Sequence, residues 1–135
     1  MKEITLEATV ENILVVTDFV NEELNKINCS EEVKAEIDVA IDELFGNIAN
    51  YAYKDEIGMA CVQFEINNNP KKAIITFIDN GIPYNPLERE TPDITLSAEE
   101  RKIGGLGVYI VKQTMDDVVY NYKDGSNILK IVKYI

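Results

Sequence analysis

Residues 42–58 read DELFGNIANYAYKDEIG. Val33, Ile37, Ile41, Leu44 and Ile48 recur every three or four positions, so the start of this stretch ends an amphipathic helix that buries that stripe. Glu43 and Asn47 stand one turn apart at the edge of the stripe. With about 100° per residue they lie about 40° apart on one side of the helix. Side chains placed there can reach a cleft while the helix stays packed. The same pair is common on solvated helix rims, so alone it poses a question without answering it.

Reading outward, Ser30 followed by Glu31 and Glu32 is an N-cap with acidic first-turn residues, which opens this helix. Before it, Ile13, Val16, Val20, Leu24 and Ile27 predict a first amphipathic helix from about Asn12. Earlier still, Ile4, Leu6, Ala8 and Val10 alternate with polar residues, as in a strand with one buried face. Downstream, MACVQFEIN and AIITFID read as two strands joined through the turn NNNPKK. GGLGVYIVKQTM starts a third helix from glycines, and DVVYNYK, an Asp124-Gly125 turn and NILKIVKY make a closing hairpin. The order β-α-α-β-β-α-β-β predicts an α/β (α+β) two-layer sandwich in which helices cover one face of a sheet. Residues 84–103, with Pro86, Pro92 and many charges, are long for a connection and read as a functional loop.

Composition narrows the chemistry. A chain of 135 residues suits one domain with one core, and no internal repeat or linker divides it. At 46% hydrophobic and 27% charged residues, a packed fold is expected. No apolar run approaches the roughly 20 residues of a membrane span, and the N-terminus is unlike a secretory signal, so a cytoplasmic location is expected. The net charge of −11 argues against nucleic acid as a partner. A nucleotide site stays open, because helix-start amides and a metal ion hold phosphates locally even on an acidic protein. With no histidine, a Ser-His-Asp triad and imidazole acid–base chemistry are excluded. Cys29 and Cys61 lack metal-ligand spacing and read as buried free thiols.

Two further stretches join the opening pair. In FIDNGIPYNP, Asp79 ends an apolar strand and is followed by Asn80-Gly81. That is ordinary turn chemistry, or else a carboxylate accepting a hydrogen bond in a pocket with Gly81 letting a ligand approach the backbone. In KIGGLGVYIV, Gly104, Gly105 and Gly107 precede a helix. Such a start exposes unpaired N–H groups that suit anions, although glycines at helix entries also serve close packing. The stretch is neither a Walker A loop nor a full dinucleotide fingerprint.

Taken together, ELFGNIANYAY, DNGIP, a long charged loop and GGLGVYIV resemble the N, G1 and G2 boxes of the GHKL ATPase superfamily, which includes gyrase, heat-shock chaperones and histidine kinases. Within it, GGLGVYIVKQTMDDVVY is most similar to the anti-sigma-factor serine/threonine kinases. The resemblance implies a Bergerat ATP-binding fold with a mixed, mostly antiparallel sheet. It implies Glu43 as general base toward the attacking hydroxyl, Asn47 as a Mg²⁺ ligand, and Asp79 as acceptor for the adenine amino group with Gly81 making room. Gly104, Gly105, Leu106 and Gly107 become the phosphate wrap, residues 84–103 the ATP lid, and Arg101 and Lys102 helpers in neutralising phosphate. Tyr51 stands where many of these kinases have histidine, and DGSNILKI loosely fits the last box with Gly125-Ser126 in place of Gly-Thr.

The activity so implied is ATP- and Mg²⁺-dependent serine/threonine phosphorylation of a STAS-type antagonist, with a sigma factor bound in the alternative complex and a homodimer as the assembly. Rival readings are a non-catalytic ATP-gated interaction module, the ATPase part of a histidine kinase, and an acidic interaction domain that binds no nucleotide.

Overall fold

The fold is that of a computed structural model, which describes residues 1–88 and 105–135. Strand β1 (Lys2–Glu7) leads into helices α1 (Ile13–Lys26) and α2 (Glu31–Asn47). Strands β2 (Met59–Asn67) and β3 (Lys72–Asp79) follow, then helix α3 (Gly105–Thr114) and strands β4 (Asp117–Lys123) and β5 (Ser126–Tyr134). The order is the one the sequence periodicity predicts. The sheet runs β1-β2-β3-β5-β4. Every pairing in it is antiparallel, which sharpens the expectation of a mostly antiparallel sheet.

Period-two patterning builds the inner face. Ala60, Val62 and Phe64 on β2 and Ala73, Ile75 and Phe77 on β3 are buried, and Leu129 and Ile131 continue that face on β5. The opposite face carries Gln63, Thr76 and Lys130 in one cross-strand row. Val16, Val20 and Leu24 of α1 pack into the same core as the inner sheet face. Burying a side chain of this size stabilises the fold by about 1.5–3 kcal/mol, so this face fixes the strand register.

Helix α2 starts as its cap predicts: Ser30 is extended and its hydroxyl accepts from the Val33 amide at 3.2 Å. Its buried surface is wider than the predicted stripe. Ala40, Phe45 and Gly46 are buried beside Ile37, Ile41 and Leu44, because α2 packs against both α1 and α3. A five-residue π-helical segment, Ile48–Ala52, prolongs it. The β4–β5 hairpin turns on Asp124 (φ 53°) and Gly125 (φ 80°), the pair of positive φ values that a tight twisted hairpin requires.

Candidate functional site

Asp79 is the last residue of β3, in step with Ile75 and Phe77, so alternation aims it inward; it is 5% exposed. Its Oδ1 accepts hydrogen bonds from the Gly81 amide at 2.9 Å and from Asn127 Nδ2 at 2.9 Å. The Gly81 bond is the turn geometry that Asp-Asn-Gly favours. Among the described residues no hydrogen bond engages Oδ2.

Asn127 is the residue that sequence reasoning missed. It pairs directly with Asp79 across the β3–β5 ladder and is 6% exposed. Besides Asp79, its Nδ2 donates to the Ile82 carbonyl at 2.8 Å, and its Oδ1 accepts from the Tyr84 amide at 3.1 Å and from the Tyr120 hydroxyl. Ser126, the residue that the last-box resemblance pointed to, lies one step away and bonds Asn80 Oδ1 at 2.6 Å in an exposed position. The usable signal was parity. Two residues before the inward Leu129, position 127 must also face inward, and a polar residue there needs partners.

Asp79 closes one part of a cleft of about 410 Å³, counting its open mouth. Leu44, Asn47, Ile48 and Ala52 form one wall, Phe77 and Leu129 the floor, and Ile82, Tyr84 and Pro86 a rim. An apolar cleft with a few convergent polar groups is the usual form of a small-molecule site. Asn47 and Asp79, proposed from separate motifs, therefore line one cavity.

Glu43 lies next to this wall. Asn47 Nδ2 donates to Glu43 Oε1 at 3.4 Å, so the pair one turn apart is also in contact. Gly107, in the first turn of α3, presses on the same carboxylate: a Cβ added at Gly107 would lie 2.8 Å from Glu43 Oε1 and closer still to Oε2. The glycine-rich entry of α3 and the acid of α2 thus meet. One amide and one carboxylate are a sparse donor set, and among the described residues no three His, Cys, Asp or Glu side chains cluster to hold a metal. That suits Mg²⁺, which keeps several waters and takes phosphate oxygens when it binds nucleotide.

The π-helical end of α2 is fastened to the Asp-Asn-Gly loop. The Ile82 amide donates to the Ala52 carbonyl at 2.9 Å, and the Asn80 amide to the Tyr53 hydroxyl at 3.0 Å. Tyr53 in turn donates to the Met59 carbonyl at 2.6 Å. Burial pushes the Tyr53 phenol above its ordinary pKa. Gly81 is glycine for the protein's own reasons, since a Cβ there would overlap the Ala52 carbonyl. Tyr51 is 42% exposed and its ring centroid lies 6.2 Å from that of Tyr84, so the residue in the histidine position sits beside a cleft residue.

Of the other expected site residues, Gly105 begins α3 and Leu106 is exposed in its first turn. Arg101, Lys102 and Gly104 lie outside the described residues, as does the predicted lid beyond residue 88. The described root of that loop is pinned: Pro86 is buried, and Lys112 Nζ of α3 donates to the Leu87 carbonyl at 3.1 Å. Cys29 is buried and Cys61 half-buried, both as free thiols. Among the described residues no helix is long and apolar enough to cross a membrane.

Comparison with known proteins agrees with this fold. A serine-protein kinase RsbW of Bacillus thuringiensis (strain Al Hakam) is 26% identical over 137 aligned positions, which cover 98% of this chain and 84% of that protein. A serine-protein kinase RsbW of Bacillus anthracis (strain CDC 684 / NRRL 3495) is similar to the same extent. Among solved structures, that of the RsbU and RsbW domains of Rv1364c from Mycobacterium tuberculosis superposes with a TM-score of 0.64 at 14% identity. The match covers 99% of this chain and spans 32% of that one, so it speaks for the fold. Residues 6–133 match the family described as the histidine kinase-like ATPase domain, whose name implies ATP as ligand. Because that match runs over nearly the whole chain, the chain belongs to that family.

Proposed function

We propose that this chain is an ATP-binding serine/threonine protein kinase of the anti-sigma-factor type, a single domain across residues 1–135. One observation carries the reading: a single cleft is lined by Asp79 and Asn47, with Glu43 hydrogen-bonded to Asn47. In this reading Asp79 accepts a hydrogen bond from the adenine amino group, the loop holding Gly81 leaves room for the base, and the apolar walls take its faces. Gly104, Gly105, Leu106 and Gly107 donate backbone amides to the phosphates, with Arg101 and Lys102 adding positive charge. Asn47 is a ligand for Mg²⁺, which when bound neutralises charge on the phosphates. Glu43 accepts the proton of the target hydroxyl as its oxygen bonds to the γ-phosphorus. The bond from that phosphorus to the β,γ-bridging oxygen breaks, and ADP leaves with the electron pair. Because phosphoryl transfer needs mainly positioning and charge neutralisation, one base and one metal ligand suffice.

The partner in this reading is a STAS-type antagonist that supplies the hydroxyl, a sigma factor is sequestered in the alternative complex, and the protein works as a cytoplasmic homodimer. Support comes from the GGLGVYIVKQTMDDVVY resemblance and from relatives named serine-protein kinases. The test incubates the protein with γ-labelled ATP, Mg²⁺ and a candidate STAS protein, and measures ATP binding separately. Wild type is expected to label the partner, and Glu43→Gln to bind ATP while losing about 10²–10⁴-fold in transfer. Binding by wild type without transfer would leave the ATP-gated interaction module as the function. A melting temperature unmoved by saturating Mg-ATP would reject nucleotide binding, since a hundredfold excess over Kd stabilises by about 2.7 kcal/mol.

A further inference from the structure

Resting on the reading of Asp79 as the group that recognises adenine, we infer that Asn127 is the positioning residue that sets the nucleotide preference of this site. An asparagine amide has two N–H donors and two acceptor lone pairs. Here all four are used: Nδ2 donates to Asp79 Oδ1 and the Ile82 carbonyl, while Oδ1 accepts from the Tyr84 amide and the Tyr120 hydroxyl. Two of the partners are backbone groups that cannot exchange roles. The Ile82 carbonyl only accepts and the Tyr84 amide only donates, so the amide can face one way alone. That orientation aims an N–H at Asp79.

The consequence falls on the carboxylate. Oδ1 of Asp79 is occupied by two neutral donors, Asn127 and the Gly81 amide. This fixes the rotation of the carboxylate and leaves Oδ2 as the acceptor to face a ligand. Neutral donors hold the group without placing a fixed cation against it, and none of the ion pairs among the described residues involves Asp79. The carboxylate therefore presents full acceptor strength to an amino group. The same amide also ties residues 82 and 84, which line the cleft, to β5. Base recognition and the shape of the cleft rim thus hang on one side chain. Ser126, one residue earlier, contributes to neither, since it bonds Asn80 at the surface.

A purely structural role and a positioning role separate with two nucleotides that differ only at the 6-position of the purine. ATP carries the amino group there, and purine riboside 5′-triphosphate carries hydrogen. Calorimetric titration of wild type is expected to favour ATP by about tenfold, the equivalent of one hydrogen bond to a charged acceptor. Asn127→Asp keeps the shape but sets a carboxylate against Asp79 and against the Ile82 carbonyl. At about pH 8 this variant should lose the preference for ATP while still binding the analogue. Asn127→Ala, which removes the donor without adding charge, should narrow the preference as well, and it serves if the aspartate variant does not fold. An ATP preference kept in both variants, or an equal loss of both nucleotides, overturns the positioning role alone. No preference in wild type would overturn the reading of Asp79 as well.

Discussion

Replacing Gly107 with alanine is expected to slow phosphoryl transfer by about 10²-fold while leaving the fold intact. The new methyl would fall 2.8 Å from Glu43 Oε1 and nearer still to Oε2, where carbon–oxygen contact begins at about 3.4 Å, so the carboxylate must swing away by about an ångström. It can do so because it is the end of a flexible side chain. A strained rotamer costs about 0.5–1.5 kcal/mol, and alanine in place of glycine in a helix returns about 0.5–1 kcal/mol. The two nearly cancel, so the melting temperature should move by only a few degrees. Displacing a catalytic group by about an ångström costs about 10²-fold in rate. The assay pairs thermal unfolding with label transfer from ATP to the partner, in Gly107→Ala, Glu43→Gln and the double variant. If the glycine acts through Glu43, the double variant should transfer no more slowly than Glu43→Gln alone. A further drop in the double variant, or wild-type transfer in Gly107→Ala, would refute the steric reasoning.

Asp79→Asn should weaken ATP binding by about tenfold or more and shrink the preference over GTP, because an amide offers guanine's carbonyl a donor; calorimetry with both nucleotides decides it. The fold should hold, since the amide oxygen can still accept from Gly81 and Asn127. Asn47→Ala should weaken nucleotide binding mainly when Mg²⁺ is present, and equal loss in its absence would make the asparagine structural. On the alkaline side, the burial that raises the Tyr53 phenol means that the folded state holds this proton more tightly than the unfolded chain. Its contribution to stability is complete below the ordinary phenol pKa of about 10 and is lost as pH rises through the folded value. Tyr53→Phe should therefore flatten the fall of the urea midpoint above about pH 10.

What the sequence disclosed was what local physics decides. The Ser30 cap, the two-residue alternation on β2 and β3 and the Asp124-Gly125 turn each act within a few residues, and each is where it was expected. Asp79 could be singled out because a charged residue closing an apolar run is conspicuous. Features set by distant neighbours were hidden. Gly46 is buried against Ile13 of α1, and Gly81 must be glycine because Ala52 lies against it. Asn127 looked like one polar residue in a hairpin until β3 supplied its partner. Arg101 and Lys102 rest on resemblance and Gly104 on its place among the glycines before α3, and all three lie outside the described residues.

The position of Asp79 within the sheet divides the cleft into parts of unequal endurance. Its strand is the middle one of five, and Asp79 is flanked by Ala60 on β2 and by Asn127 on β5. Separating it from Asn127 means opening the central ladder, and openings there approach the free energy of global unfolding. Glu43 and Asn47 depend instead on the contact between α2 and α3, and α3 is a helix of ten residues. Amide exchange at Ile78 and Ile128 should accordingly be among the slowest in the molecule, and exchange in the first turn of α3 much faster. Under mild denaturant the Asp79 end of the cleft would outlast the end beside Glu43 and Gly107.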